Sequence, residues 1–218
     1  MLRVGLTGGI AAGKTTASER FAALGAVIID YDELAKAAVA PGSQGLELVV
    51  SHFQPRVSQP LLGQAGELDR AALAALIFDD PRARGELEAI IHPIVFQMAA
   101  EMEAAAAASD PDVIVIHDIP LLVEADLGNE FEVIISVIAP KELRLQRLIA
   151  ARGLTKNEAE ARIAASAPDF QRAEIADLIL NGSGTVELLQ AEVDETWELL
   201  NLIALRGSTA HADITTAP

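Results

Sequence analysis

Leu2-Arg3-Val4-Gly5-Leu6-Thr7-Gly8-Gly9-Ile10-Ala11-Ala12-Gly13-Lys14-Thr15-Thr16 opens the chain with an apolar run, a glycine-rich turn and a lysine followed by two hydroxyls. Gly8 to Thr15 fit G-x-x-x-x-G-K-[ST] at every fixed place, after a strand-like run and before the helical spacing of Lys14–Leu24. Gly25 stands where a helix C-terminal glycine belongs, and residues 26–30 read as a second buried strand. Strand, turn, helix and strand make one βαβ unit, which predicts an α/β fold with a parallel central sheet. The chemistry of the turn follows from its residues. Glycines let backbone N–H groups face inward onto phosphate oxygens, and the helix N-terminus adds its dipole. Lys14 supplies a mobile positive charge to the β- and γ-phosphates, and Thr15 offers a hydroxyl to Mg²⁺. Gly8, Ala11, Ala12, Gly13, Lys14, Thr15 and Thr16 are therefore the candidate nucleotide-binding residues, with ATP as the expected nucleotide.

Working outward, residues 32–109 turn helical: 32–40 stops at Pro41, and Gln44–Phe53 is amphipathic. A loop rich in Pro, Gly and Gln covers 54–67, and Asp69 caps a helix over 70–78. Pro81 starts another helix, and Pro93 begins a long one ending in the alanine run 104–108. So much helix between two sheet strands is too long for a plain crossover and predicts an inserted helical domain. Strands return at 113–116 and 132–138, followed by a helix over 141–151. Thr155 with Glu158 forms a capping box, 177–180 is a short last strand and 186–205 a closing helix. Residues 207–218 read as a disordered tail.

Composition narrows the classes. Half of the 218 residues are hydrophobic and 4% aromatic, so the core is built from Ala, Leu, Ile and Val. No cysteine is present, which excludes disulfides, thiolate metal sites and cysteine nucleophiles. No secretory signal opens the sequence and no apolar stretch nears the ~18–20 residues of a membrane span, so a cytoplasmic protein without membrane partners is expected. A net charge of −16 argues against nucleic acid, which needs a basic footprint. The charge is uneven, however. Lys141 to Arg172 hold seven of the sixteen basic residues and only four of the thirty-two acidic ones, a local cationic segment suited to small anions or, more plainly, to a solvated helical face.

Two acidic features complete the candidate site. Val113-Ile114-Val115-Ile116-His117-Asp118 is an apolar strand ending in a carboxylate, the form of a Walker B strand, which places Asp118 with Thr15 as a metal ligand. Asp30 and Asp32 end the second strand, on the side of a parallel sheet where ligands bind. Asp32 is either a base that accepts a hydroxyl proton or the N-cap of the next helix. A GTPase needs an Asn-Lys-x-Asp segment; Lys156-Asn157 has the order reversed. A small nucleotide-dependent kinase remains.

The sequence resembles the dephospho-CoA kinase family over roughly residues 2–197. The resemblance rests on Gly5-Leu6-Thr7-Gly8-Gly9-Ile10, Ile28-Ile29-Asp30-Tyr31-Asp32 with Leu34-Ala35, Pro41-Gly42, Leu68-Asp69-Arg70-Ala71-Ala72-Leu73, Ile91-His92-Pro93, Asp118-Ile119-Pro120-Leu121-Leu122-Val123-Glu124 and Arg147. It implies a P-loop NTPase fold of three layers, with a core of 1–31, 110–140 and 176–206, a helical acceptor-binding insertion over 32–109 and a helical lid over 141–175. It further implies transfer of the ATP γ-phosphoryl group to the ribose 3′-hydroxyl of dephospho-CoA, with Asp32 as base and Arg147 as the lid arginine over the phosphates. His92 and Leu121 join Asp32 and Arg147 as substrate-side candidates, although His92-Pro93 also suits a plain helix start and Leu121 plain packing. Ala11-Ala12 stand where the family usually has Gly-Ser, Thr15 where it has Ser, Ser166 where it has Gln, and Asn181-Gly182 where it has Asp-Asn. Another small-molecule or nucleoside monophosphate kinase, and a nucleotide-binding protein that has lost turnover, are the alternatives.

Overall fold

In the computed structural model, which describes residues 1–78 and 80–215 (side chains through Arg206), the opening apolar run is strand β1, Leu2–Gly8. Strands β2 (Val27–Asp30), β3 (Ile114–Asp118), β4 (Val133–Ile138) and β5 (Leu178–Asn181) join it in a parallel five-stranded sheet of order β2-β3-β1-β4-β5. Side chains alternate between the two faces, and in β1, β3 and β4 nearly all of them are buried, which is why these strands read as apolar runs, while the edge strand β5 leaves Ile179 exposed. Leu2, Val4, Leu6, Ile114, Ile116, Val133, Ile135 and Val137 share one core with Phe21 and Val193. Phe21 lies on helix α1 (Lys14–Leu24) and Val193 on helix α9 (Val186–Thr215), which therefore cover that face. Their contact is fixed by Phe21 against Trp197 at 6.5 Å and by a two-pronged bond from Arg20 to Asp194 at 2.6 and 2.7 Å. On the opposite face Gly5 lies beneath Phe131 and Leu122, and Arg3 pairs with Glu103 at 2.7 Å.

His117 shares that opposite face and is 1% exposed, with its ring 5.1 Å from Phe131 and Nε2 3.5 Å from Glu103. Burial, helped by the nearby Arg3 charge, lowers its pKa from 6.5 to about 4. The unfolded chain therefore binds a proton that the folded chain refuses. This contribution to stability is complete above the ordinary value of 6.5 and is lost as pH falls toward 4, at most about 3 kcal/mol. Urea unfolding across that range is expected to show the loss in the native chain and not in His117→Gln, whose amide cannot become charged. Equal pH slopes for the two proteins would remove His117 as the cause.

The chain divides into two units, Met1–Asp30 with Glu103–Pro218, and Tyr31–Met102. The second unit contains helices α2 (Tyr31–Ala38), α3 (Gln44–Phe53), α4 (Arg70–Ile77) and α5 (Pro81–Ser109) as far as Met102. Its own core gathers Val39, Leu46, Val49, Phe53, Leu61 and Leu73. Ser43 caps α3 by accepting from the Leu46 amide at 3.2 Å, and Asp69 caps α4 by accepting from the Ala72 amide at 2.9 Å.

Three differences from the sequence reading stand out. Pro93 does not begin a helix but lies inside α5, although its ring removes one backbone bond. Packing prevails over that penalty, because Leu87, Ile90 and Ile91 before the proline dock on the second unit's core while Val95 and Ala99 after it are buried. Between helices α6 (Lys141–Arg152) and α7 (Lys156–Ala164) on one side and β5 on the other lies a further short helix, α8 (Asp169–Ile175). Seven residues do not display helical periodicity in a sequence. Finally, α9 continues to Thr215 where a disordered tail is expected from 207; no proline interrupts that stretch before Pro218, and 216–218 lie outside the described residues. Among the described residues no helix is long and apolar enough to cross a membrane.

Candidate active site

The glycine-rich turn joins the end of β1 to the start of α1. Gly13, with φ +116°, is the N-cap of α1, and the Ala12 amide bonds the Gly9 carbonyl at 2.9 Å. A φ of +116° suits only a residue without a Cβ, which explains the fixed glycine before the lysine. Ala11 also has positive φ, +61°. Alanine there is tolerable without strain only at negative φ, and that condition is not met; the left-handed conformation costs about 1–2 kcal/mol in a residue with a Cβ. Arg147 of α6 helps hold the turn, donating to the carbonyls of Ala11 at 3.2 Å and Ala12 at 3.4 Å and to that of Gly184 at 3.4 Å.

Lys14 reaches across to the end of β3, where its ammonium donates to Asp118 Oδ1. Asp118 is 3% exposed; burial raises its pKa, while Lys14 and a hydrogen bond with Ser18 oppose the rise. Asp30, its register partner on β2, adds a second carboxylate to the same end of the sheet. Thr15, next along α1, is exposed, and Thr16 half-buried. The carboxyl ends of β1, β2 and β3 thus bring the glycine-rich turn, one cation and acidic oxygens to one place.

The remaining candidates fall as follows. Leu121 is exposed in the turn after β3. Asp32 and His92 belong to the second unit. Helix α2 starts at Tyr31, so Asp32 is a first-turn residue rather than an N-cap, and its negative charge is favoured there by the helix dipole. His92, on α5, meets Phe96 edge-on at 6.1 Å, and Tyr31 meets the same ring at 6.1 Å. Sequence reasoning missed Ser18, Arg144, Asp169 and Arg172. Arg144 was the findable one, since it precedes Arg147 by three residues and so shares its helix face.

The model describing dephospho-CoA kinases matches residues 2–187. The chain belongs to the dephospho-CoA kinase family. It is 42% identical to a dephospho-CoA kinase of Frankia casuarinae over 97% of this chain and 88% of the relative. It is 43% identical to one of Streptomyces avermitilis, over 90% and 93%. A solved Thermus thermophilus structure matches with TM-score 0.77 at 31% identity, covering 91% of this chain and 97% of that one. Dephospho-CoA kinase from Campylobacter jejuni shares the fold, with TM-score 0.64 over 91% and 96% of the two chains at 24% identity. Family membership makes the chain an ATP-dependent transferase, and the P-loop fold and parallel sheet agree with it.

Two departures from the family pattern now have structural settings. Ser166 donates to the Ile163 carbonyl at 3.2 Å and so closes the end of α7 on itself. At Gly182 a Cβ would lie 1.9 Å from the Ala12 carbonyl oxygen, so the turn after β5 and the phosphate loop touch through bare backbone. Gly182→Ala is expected to displace the Ala12 peptide and weaken ATP binding about tenfold, since a small misplacement of a binding loop carries penalties of this order. Isothermal titration with ATP measures it; unchanged affinity would mean that the loop yields without consequence.

Proposed function

We propose that the chain transfers the γ-phosphoryl group of ATP to the ribose 3′-hydroxyl of dephospho-CoA, the last step of coenzyme A synthesis. The observation that carries this reading is the Lys14–Asp118 pair at the phosphate loop of a chain in this family. The loop amides and α1 N-terminus receive the phosphates, and Lys14, on a flexible stem, is shared between Asp118 and the phosphate oxygens. Arg147, already anchored to the loop carbonyls, stabilises the charge that spreads over the transferring group. Asp32 accepts the proton of the acceptor hydroxyl as its oxygen attacks phosphorus and the bond to ADP breaks. His92 and Leu121 are assigned to the acceptor side, residues 32–109 to acceptor binding and 141–175 to a lid that excludes water.

Hard oxygen donors suit Mg²⁺, and Thr15 and Asp118 supply them. Thr15 and Asp118 would hold that ion, whose charge would offset that of the β- and γ-phosphate oxygens.

Release of ADP from MgATP, with dephospho-CoA compared against buffer, adenosine, AMP and CMP and the product weighed by mass spectrometry, tests the reading. Turnover with dephospho-CoA alone supports it. Turnover with another acceptor replaces it by a different small-molecule kinase. Firm ATP binding without turnover on any of them favours a nucleotide-binding protein.

A further inference from the structure

The roles above leave unused a row of charges beside the phosphate loop, two buried arginines with their carboxylate partners, all within the first unit. Arg144 of α6 is 4% exposed and Arg172 of α8 1% exposed. Arg144 donates to the Ala139 carbonyl at 3.0 Å and to Asp169 Oδ2 at 2.8 Å. Its guanidinium lies close against the loop: a Cβ on Gly9 would come within 2.4 Å of Arg144 Nη1 and 3.2 Å of Asp169 Oδ1. Asp169 Oδ1 is also 3.7 Å from Arg172 Nη1, an ion pair without a hydrogen bond. Arg172 instead donates to the Ala167 carbonyl and, at 3.2 Å, to Glu124 Oε1. The same Glu124 oxygen accepts from the Ala167 amide at 2.6 Å. Glu124 belongs to the turn that follows β3 and Asp118.

In both pairs the arginine is buried and its carboxylate partner reaches water, an arrangement that is a weak contributor to stability. Their arrangement is better read as a balance. Arg172 stands between two carboxylates and bonds only Glu124; Asp169 is thereby left to hold Arg144 against Gly9. We propose that Arg144 and Asp169 are positioning residues for the phosphate loop, and that Glu124, through Arg172, sets how firmly they hold it. Removing the Glu124 charge turns Arg172 toward Asp169, draws Asp169 off Arg144 and frees the first turn of the loop. Glu124, in the turn after β3, and the ATP site are then coupled through Arg172 and Asp169. The proposal rests on the reading that residues 8–15 bind ATP.

ATP affinity, measured by titration calorimetry without any acceptor, and urea unfolding test this in Glu124→Gln, Asp169→Asn and Arg144→Lys. Glutamine keeps an oxygen for the Ala167 amide and loses only the charge. Each variant is expected to bind ATP about tenfold more weakly, within the usual range of coupling between sites. Glu124→Gln combined with Arg144→Lys is expected to be no weaker than the more affected single variant, because both act through one contact. In turnover, KM for ATP rises more than kcat falls. Should single charge losses unfold the chain, Glu124→Gln with Arg172→Met removes the pair together and with it the guanidinium that would draw Asp169 away; this variant is expected to keep ATP affinity within twofold of the native chain, and adding Asp169→Asn to it is expected to weaken binding about tenfold. ATP affinity within twofold of the native chain in folded Glu124→Gln, a loss of ATP affinity in the folded paired variant, or multiplying effects in the combination, overturns the relay alone. Failure of the unaltered chain to bind ATP overturns both the relay and the kinase reading.

Discussion

Asp32→Asn is expected to lower kcat with dephospho-CoA about a thousandfold, within the range for loss of a positioned base, while ATP affinity stays within about twofold. The amide has the shape of the carboxylate and cannot take the proton of the attacking hydroxyl. The first turn of α2 should persist, since asparagine is acceptable at a helix start and the position is exposed. The loss of one favourable dipole contact costs about 0.3–1 kcal/mol, too little to unfold the helix. Single-turnover phosphoryl transfer and calorimetric ATP binding separate the two effects. Near-full turnover in the variant would sink the base assignment, and a matching loss of ATP affinity would make Asp32 a binding residue instead.

Lys14→Met is expected to affect both activity and stability, because one ammonium serves the phosphates and Asp118. Loss of a preorganised charge at the transferring group lowers kcat/KM for ATP about a hundredfold or more. Asp118 is then left buried without its cation, a situation that costs about 3–5 kcal/mol in an interior, or less if the group takes up a proton. Burial already raises the Asp118 pKa and Lys14 opposes the rise, so the substitution raises it further. A carboxyl whose folded pKa is raised keeps its proton where the unfolded chain has released it. Its stability contribution is present below the ordinary value of 3.8 and is lost as pH rises through the folded value. Relative to the native chain, Lys14→Met should therefore be most destabilised at neutral pH, and a second change, Asp118→Asn, should restore stability without restoring activity. Urea midpoints at acid and neutral pH measure this; an equal deficit at both would show that Asp118 stays ionised by other contacts.

Local order was readable because it is encoded at short range. The limits of α1 and α3, the Asp69 cap and the Thr155–Glu158 box depend on residues a few positions apart, and each lies where spacing and capping chemistry put it. Pro93 was misread for the complementary reason. A proline signals a local break, and contacts made by Leu87, Ile90 and Ile91 with residues far away in sequence carry the helix through it.

The same division holds for the site. By itself the sequence determined the βαβ opening, the parallel sheet, the phosphate loop with Lys14 and Thr15, and the acidic end of β3, because these are contiguous motifs whose residue types serve one chemistry. Only the tertiary structure decided that Lys14 pairs with Asp118, that Ala11 adopts a left-handed conformation, that Gly182 lies against Ala12, and that Arg144, Asp169, Arg172 and Glu124 form one row beside Gly9. Apart from Asp169 and Arg172, neighbours three residues apart on α8, those partners are 25 to 170 residues apart in sequence, so no spacing rule joins them. What joins them is the closing of buried space. A charge removed from water must find its counterion wherever the packed strands and helices bring one, and that place is set by the fold as a whole.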